Sequence, residues 1–140
     1  MPVFVVHEHH AKRLHFDLRI EINGILKSWA VPKGPSLNPA DKRLAVMVDD
    51  HDLDYLDFEG SITEGEYGAG DVFIWDTGTY DIVTGSIESG KLELHFNGNI
   101  LKGVFAVIKM QRKDREWLLI KKNDRFAERG FHSRTVHPRP

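Results

Sequence analysis

The sequence predicts an all-β protein, a mainly antiparallel β-barrel with short helical segments. Short apolar runs recur along the 140 residues with turn signals between them. Several of these runs alternate apolar with polar residues, as half-buried strands do. No window shows the 3.6-residue period that a long amphipathic helix needs. Hydrophobic residues make up 41% of the chain, which is enough for one core, so we expect a single domain.

The first predicted strand runs from Leu14 to Ile22, where apolar and polar residues alternate strictly. Asn23-Gly24 follows and suits a two-residue turn, because both residues tolerate positive φ. The run at residues 25–31 should therefore pair antiparallel with the first strand. His9 precedes this hairpin, and a turn at residues 10–12 would fold it back toward the strand.

Six further strands are predicted, at residues 43–48, 71–75, 79–83, 91–96, 103–109 and 116–121. Residues 76–78 are expected to form a turn, and residues 52–58 a short helix. The three tryptophans fall within predicted strands and are assigned to the core. The glycine-rich segment Gly65–Gly70 lacks the Gly-Lys-Ser/Thr ending of a phosphate-binding loop, so we interpret it as a tight loop that needs positive φ.

The barrel domain is expected to span residues 1–122, followed by a basic C-terminal tail at 123–140 with no pattern that would order it. Within residues 121–140, lysines and arginines outnumber acids by four, although the formal net charge of the chain is −2. Such a tail suits either contact with a phosphate backbone or a solvated, frayed terminus. Residues 49–59 contain six acids and no lysine or arginine.

The residue types and segments that the sequence lacks exclude several classes of protein and of metal site. The chain has no cysteine, which excludes a disulfide framework and a thiolate metal site. No apolar run approaches the ~20 residues of a membrane span, and no secretory signal region is present. We therefore expect a cytoplasmic protein without membrane contact. Any metal must be held by His, Asp or Glu, which favours Mn²⁺, Mg²⁺, Fe²⁺ or Zn²⁺.

His9, His15 and Asp17 form a candidate metal site. His15 and Asp17 are two residues apart and so share the polar face of the first predicted strand. Three protein ligands leave coordination positions open, as a catalytic metal needs. Arg19 comes next on the same face, where its guanidinium could bind phosphate or carboxylate. The alternative interpretation is a set of surface histidines on a polar strand face.

His51 and Tyr55 form a second candidate group within the acidic segment. Neighbouring carboxylates favour a protonated histidine, so we expect His51 to keep its proton and to stabilise a phosphoryl oxygen or protonate a leaving group. A polar loop packed against the barrel rim is the alternative. His7 would contact either the substrate or the residues around the metal, and His95 is interpreted as a surface histidine.

Several segments together are far more specific than any one of them: Phe4–Glu21, Leu26–Ser36, Lys42–Val46, Asp50–His51, Leu53–Tyr55, Phe58–Gly60 and Glu64–Gly70. On these segments the chain closely resembles the 3′-phosphoesterase domain of bacterial ligase D proteins, which also occurs as stand-alone proteins in archaea and bacteria. The resemblance extends over roughly residues 3–122 and implies a compact β-barrel.

The resemblance also implies a Mn²⁺-dependent enzyme, with Co²⁺ or Zn²⁺ as possible substitutes, that acts on nucleic-acid 3′ ends. Such enzymes remove a 3′-terminal ribonucleoside and the resulting 3′-phosphate from a primer strand, leaving a 3′-OH for DNA repair. The resemblance makes His9, His15 and Asp17 the metal ligands. It assigns an orienting role to Glu21. It assigns contacts with the scissile phosphate to Arg19 and His51 and further phosphate or active-site contacts to Arg43 and Tyr55, and we add His7 as a candidate substrate contact.

Two departures bear on the reaction and its partners. Position 7 is often Gln in ligase-linked members and is His here, and those members carry an N-terminal extension that contributes to the site. The balance between diesterase and monoesterase steps is therefore left open. The expected partners are primer–template 3′ ends that bear a ribonucleotide or a phosphate, with a DNA ligase or polymerase acting in trans.

Two other functional classes fit the same residues. A non-haem iron oxygenase holds its metal with a His-x-Asp pair and a distant histidine. Here His51 or His95 would be the third ligand, and His9 would be free. A non-catalytic module that binds nucleic-acid ends would instead use the histidines to hold phosphate.

Overall fold

The computed structural model describes residues 1–63, 65–66, 69–133 and 135. Its one helical segment within these residues is a 3₁₀ turn at Leu53–Asp57, and the described chain has no helix with the length and apolar character to cross a membrane. The same residues form nine strands: β1 (Val3–His10), β2 (Leu14–Ile22), β3 (Ile25–Val31), β4 (Arg43–Asp52), β5 (Gly60–Ile62), β6 (Gly70–Ser86), β7 (Lys91–Gly98), β8 (Lys102–Lys109) and β9 (Glu116–Lys121).

Eight of these strands close into an antiparallel barrel, which confirms the predicted fold class. Neighbouring strands follow the order β1-β2-β3-β4-β9-β8-β7-β6, and a pairing between β6 and β1 closes the ring. β5 adds to the first part of β6, where Gly60 pairs with Val72. Closure satisfies the backbone hydrogen bonds that an open sheet would leave exposed on its first and last strands.

The β2–β3 hairpin forms as predicted, but the chain before it is also a strand. Asn23 (φ 53°) and Gly24 (φ 81°) both adopt the left-handed conformation that this two-residue turn requires. The turn after His10 folds His9 back opposite His15 of β2, as predicted, but no strand was predicted at β1, in which His9 lies. β1 shows no clear alternation because its residues from Phe4 to His9 are all buried.

The hydrophobic core fills the interior of the barrel. Phe4, Leu18 and Phe105 are among its members, and each is at most 1% exposed. All three tryptophans belong to the same core, as predicted. Successive residues of a strand point to opposite faces, so the residues that alternate with these apolar positions on β1 and β2 lie on the outer face of the barrel wall.

β6 is one continuous strand of 17 residues, so the predicted turn at residues 76–78 does not form. Asp76 is 2% exposed, and its carboxylate accepts hydrogen bonds from the backbone N–H groups of Thr77, Asn99 and Leu101 at 2.9, 2.8 and 2.7 Å. Asp-Thr-Gly is typical of a turn. Here the aspartate instead fastens the β7–β8 turn, whose amides are more than 20 residues away in sequence.

The segment between β4 and β6 crosses the outer face of the barrel wall. Its 3₁₀ turn, where a short helix was predicted, contacts β3 and β4. Tyr55 from this turn lies against His7 and Arg19. The polar face of β2 is buried as a result, with Asp17 5% and Arg19 4% exposed. This second layer makes a site on the outside of the barrel.

Residues 122–133 return across the end of the barrel. The backbone N–H of Glu128 donates to the carbonyl of Leu37 at 2.8 Å, and the Ser133 hydroxyl donates to the carbonyl of Pro35 at 2.7 Å. The predicted tail therefore lies against the barrel as far as Ser133. Its remaining residues include Arg134 and 136–140, which fall outside the described residues.

Candidate active site

The three predicted metal ligands converge on the outer face of the barrel wall. His9 on β1 pairs with His15 on β2, and Asp17 follows two residues later on the same face. His9 Nδ1 lies 3.1 Å from His15 Nε2 and 3.4 Å from Asp17 Oδ2, and His15 Nε2 lies 3.3 Å from Asp17 Oδ1. One donor atom from each residue therefore lies within 4.8 Å of the other two, close enough to share an ion.

This donor set fits a divalent transition metal. Two imidazole nitrogens and one carboxylate oxygen suit Mn²⁺, Fe²⁺, Co²⁺ or Zn²⁺, and three ligands are fewer than a closed structural site uses. His15 Nδ1 lies 3.1 Å from the backbone carbonyl oxygen of Arg13. This contact fixes the ring with Nε2 toward Asp17, as backbone carbonyls commonly do for metal-binding histidines.

Hydrogen bonds and charge keep Asp17 ionised. Burial alone would raise the pKa of its carboxyl group, but hydrogen bonds from His15 and His9 and the charge of Arg19 hold that pKa well below its usual range. Burial lowers the pKa of His15, and its hydrogen bond to Asp17 and the charge of that carboxylate outweigh burial and raise the pKa. A divalent cation would therefore compete with protons for the lone pairs of these groups.

The Arg19 guanidinium is held by partners on three strands. Its Nε donates to His7 Nδ1 at 3.0 Å, its Nη1 to Ser28 Oγ at 2.9 Å, and its Nη2 to Asp17 Oδ2 at 3.3 Å. The guanidinium carbon lies 5.0 Å from the centre of the Tyr55 ring, within the range of a cation–π contact. This cation is therefore fixed at the edge of the metal-ligand cluster.

His7 lies beneath Arg19. Its side chain has no exposed surface, and its ring centre lies 5.2 Å from that of Tyr55. Burial and the charge of Arg19 lower the pKa of His7 to about 3, so the neutral ring accepts a hydrogen bond from Arg19. Direct contact with a substrate would need exposed surface, so this position suits contact with the residues around the metal.

His51 and Tyr55 stack on each other with ring centres 4.4 Å apart, and Tyr55 stacks on Phe58 at 4.7 Å. The prediction that neighbouring carboxylates keep His51 protonated is wrong. Burial and the charge of Arg19 lower the pKa of His51 and outweigh the aspartates of the acidic segment. Near neutral pH the ring is therefore uncharged, although one of its nitrogens can still donate a hydrogen bond.

A cavity of about 330 Å³ unites these groups. Apolar side chains, those of Ala11, Ala30, Val48 and Ile62, complete its walls. The polar groups that line it are those of His9, His15, Asp17, Arg19, Asp49, His51 and Tyr55. One ligand in this cavity can meet metal donors, a fixed cation and a neutral imidazole together, which is what cleavage of a phosphate ester needs.

Two predicted site residues lie away from the cavity. Arg43 Nε donates to the backbone carbonyl of Gly34 at 3.0 Å, and Arg43 lines a separate hollow. A carboxylate oxygen of Glu21 accepts a hydrogen bond from Val3 N at 3.1 Å, and its backbone carbonyl accepts one from the Tyr80 hydroxyl at 2.6 Å. These contacts join Glu21 to β1 and β6, and Glu21 does not line the cavity.

Three further residues belong to the site and are not among the predicted site residues: Ser28, Phe58 and Ile62. Ser28 could have been found, because the Asn-Gly turn sets the hairpin register that pairs it with Arg19. Phe58 and Ile62 have no comparable local signal. They reach the site only because the chain after β4 crosses the outer face of the barrel.

The ligand set expected of an iron oxygenase is not the one that the structure assembles. That set required His51 or His95 with His9 left free. Among the described residues, the group whose donor atoms come within 4.8 Å of one another consists of His9, His15 and Asp17. His95 lies on β7, three strands away from β2 around the barrel.

Comparison with known proteins finds a matching family model and several similar relatives. A family model described as the DNA ligase D 3′-phosphoesterase domain matches residues 7–109. The multifunctional non-homologous end joining protein LigD of Pseudomonas aeruginosa is 50% identical over 126 residues, which cover 86% of this chain and 15% of that protein. The protein of the same name from Mycolicibacterium smegmatis is 43% identical over 130 residues, with 86% and 17% covered.

A third relative is the multifunctional non-homologous end joining DNA repair protein LigD of Mycobacterium tuberculosis. It is 45% identical over 108 residues, which cover 76% of this chain and 14% of that protein. The chain thus spans less than a fifth of the length of these curated relatives. The matched family range contains every residue that lines the cavity. The chain belongs to the DNA ligase D 3′-phosphoesterase domain family.

Proposed function

We propose that this protein is a Mn²⁺-dependent phosphoesterase that processes nucleic-acid 3′ ends. It would remove a 3′-terminal ribonucleoside and a 3′-phosphate from a primer strand and leave a 3′-OH. The observation that carries the proposal is the meeting of His9, His15 and Asp17 beside Arg19 in one cavity. Membership of a 3′-phosphoesterase family supports the reaction class.

Each group around the cavity has a role in this proposal. His9, His15 and Asp17 hold the metal, which when bound would neutralise charge on a phosphate oxygen. Arg19 binds a second phosphate oxygen, and because its position is already fixed, little reorganisation is needed as charge develops. His51 donates a hydrogen bond to a phosphate or leaving-group oxygen, and Tyr55 holds the ring of His51 by stacking.

His7 and Arg43 do not contact the reacting phosphate in this proposal. His7 keeps Arg19 in place through the bond between its Nδ1 and the Arg19 Nε. Arg43 lies outside the cavity, so we assign it to a phosphate elsewhere on the bound strand. Glu21 fastens β1 to β2 through its bond to Val3, so its effect on the site is indirect.

The direct test uses a labelled primer–template that ends in one 3′-ribonucleotide. With Mn²⁺ the protein should shorten the primer by one nucleoside and then convert the 3′-phosphate end to 3′-OH. EDTA should stop the reaction, and added Mn²⁺ should restore it. Parallel reactions with Co²⁺ and Zn²⁺ test the choice of metal. Binding without any product under all three metals would reject the proposal in favour of a non-catalytic end-binding module.

Asp17→Asn tests the metal site itself, because the substitution keeps the side-chain size and removes the charge that a cation needs. We expect the variant to lose cleavage and also to lose the stabilisation of the folded protein by Mn²⁺. For the unsubstituted protein that stabilisation is about 2.7 kcal/mol at a metal concentration about 100 times Kd. Asp81→Asn, an exposed position on β6, is the control and should keep both properties.

We propose repair of broken DNA ends as the setting. The three relatives are named for non-homologous end joining, and a 3′-OH is the end that a ligase or polymerase extends or seals. A DNA ligase or polymerase acting in trans would therefore consume the product. The cytoplasm, where bacterial DNA lies, is the matching location.

A further inference from the structure

The turn between β8 and β9, residues 110–115, is a basic surface that the proposed reaction does not use. Arg112, Lys113 and Arg115 are all exposed, with one exposed acid, Asp114, among them. Met110 N donates to the carbonyl of Glu116 at 2.9 Å and closes the turn. We refer to this segment as the basic turn.

The basic turn is anchored beside the candidate active site. Met47 N on β4 donates to the carbonyl of Arg115 at 2.7 Å, and Arg115 Nη1 donates to the carbonyl of Met47 at 3.2 Å. Val48, next to Met47, lines the active-site cavity. Val46 shares the face of Val48, and it lines a second hollow of about 450 Å³ whose other walls are residues 112–116.

One row of cross-strand partners connects the two places. Asp17 pairs with Ala30, Ala30 with Val46, and Val46 with Glu116. Three strand spacings of about 4.8 Å place the start of β9 about 14 Å from Asp17. Between them, Ala30, Val46 and Val48 form a low apolar floor, with Asp49 at its edge in the cavity and Glu116 where it reaches the basic turn.

The side of the cavity that the segment after Val48 covers has the opposite charge. Residues 49–59 hold six acids without a lysine or arginine, and all six acids are exposed. Phosphates that leave the cavity on this side would be repelled. The electrostatics therefore favour a path over β3, β4 and β9 toward the basic turn.

We propose that the basic turn binds the phosphate backbone of the substrate strand about four nucleotides upstream of the processed 3′ end. The proposal rests on the proposed function, because that function places the 3′ end in the cavity and leaves the rest of the strand to run outward. A rise of about 3.4 Å per nucleotide turns the distance of about 14 Å into about four nucleotides. Arg112 and Lys113 are the contacts, and Arg115 holds the turn against β4.

The test measures binding of a labelled primer–template in EDTA, so that the 3′ end stays intact, over a series of salt concentrations. The double variant Arg112→Gln, Lys113→Gln should lower the slope of log K against log salt by about 2, since each phosphate contact contributes about 0.9. Between about 50 and about 200 mM salt, the unsubstituted protein should lose about tenfold more affinity than the variant. Lys102→Gln, at the opposite end of β8, is the control and should leave the slope unchanged.

A second measurement locates the contact on the strand. Uncharged methylphosphonate linkages at the third to fifth positions from the 3′ end should weaken binding by the unsubstituted protein and leave the double variant unaffected. The same linkages ten positions away should not distinguish the two proteins. Equal slopes for both proteins would overturn the proposal, as would a slope that falls only for a Lys12→Gln, Arg13→Gln variant of the β1–β2 turn.

These outcomes are separable from the proposed function. If the protein binds the primer–template as expected but yields no product with Mn²⁺, the phosphoesterase proposal fails while the basic turn stays a backbone contact. If the protein processes 3′ ends and the double variant binds with the same salt slope, the basic-turn proposal alone is overturned.

Discussion

Arg19 shows, at the scale of one residue, how a flexible cation becomes rigid. An arginine side chain loses about 2 kcal/mol of rotamer entropy when it is fixed in place. Here His7, Ser28 and Asp17 fix it through three hydrogen bonds before a substrate arrives. Two of these partners, His7 and Ser28, have no exposed surface, so we predict that they affect activity only by holding Arg19.

Ser28→Ala should therefore slow catalysis without removing the metal. Ser28 Oγ donates to the carbonyl of Leu26 at 3.2 Å and accepts from Arg19, so the variant leaves a guanidinium N–H without an acceptor. A displacement of Arg19 by about 1 Å would reduce kcat by up to about 100-fold. Steady-state kinetics on the 3′-ribonucleotide substrate, together with Mn²⁺ binding, measures both effects.

Ser36→Ala is the matched control for this prediction. Ser36 is also buried, at 2% exposed, and its hydroxyl donates to Asp41 at 2.6 Å, away from the cavity. Both variants should lose about 1–3 kcal/mol of stability, but only Ser28→Ala should lose activity. Equal activity of the two variants would show that Ser28 does not position Arg19.

At the scale of one element, β6 closes the barrel by pairing with both β1 and β7. Its first half pairs with β1 and its second half with β7. Trp75 is an extra residue in the pairing with β1, since Val6 is opposite Asp76 and His7 is opposite Ile74. Such a bulge bends a strand and increases its twist. It also turns the next residue, Asp76, toward the β7–β8 turn.

Asp76→Ala should destabilise this part of the barrel and leave the chemistry of the site intact. Three backbone N–H groups lose their acceptor, at a cost of about 3 kcal/mol or more. Urea denaturation measures the loss, and hydrogen exchange should show it first at the amides of Asn99 and Leu101. Asp76→Asn keeps one acceptor oxygen, so its free energy of unfolding should lie between those of Asp76→Ala and the unsubstituted protein. Unchanged exchange at these amides would contradict the role of Asp76.

At the scale of the whole molecule, the hydrophobic core and the candidate active site lie on opposite faces of the barrel wall. The interior holds the apolar core, while the candidate site lies outside β1, β2 and β3 beneath the segment after β4. The C-terminal segment packs against the barrel as well, since Lys121 is 1% exposed and its ammonium pairs with Asp124 at 2.5 Å. Asp124 also accepts hydrogen bonds from the N–H groups of Val104 and Phe126.

Asp124 should make the stability of the whole barrel depend on pH in the acid range. Burial raises the pKa of its carboxyl group, and hydrogen bonds from Lys121, Val104 and Phe126 outweigh burial and lower it below the ordinary 3.8. The unfolded chain therefore takes up this proton first, and the stabilisation is complete above about pH 5 and lost as pH falls through the folded pKa. Asp124→Asn should cost about 2 kcal/mol at pH 7.

The measurement is urea denaturation of the unsubstituted protein and Asp124→Asn from pH 7 to pH 3. The difference between their free energies of unfolding should shrink as the pH falls below about 4. Lys122→Gln, which removes an exposed pair with Glu93, should change little at any pH. If this difference stayed constant with pH, the ionised carboxylate of Asp124 would not be the source of the stabilisation.

Much of the site could be predicted from the sequence because it is local. The alternation from Leu14 to Ile22 places His15, Asp17 and Arg19 on one strand face, and the Asn-Gly turn sets the partner strand. The protonation of His51 could not be predicted in this way. Its acidic neighbours are visible in the sequence, but burial and Arg19, which lower its pKa, come from distant parts of the chain.

The sequence by itself determined the all-β class, the first hairpin and the row of polar groups on β2, because these follow from side-chain alternation and turn conformation within a few residues. Only the tertiary structure decided that His9 lies in a strand of its own, that Asp76 lies within a continuous strand, and that the segment after β4 covers the outer wall. These depend on strand pairing and burial between residues far apart in the chain, which local patterns cannot encode.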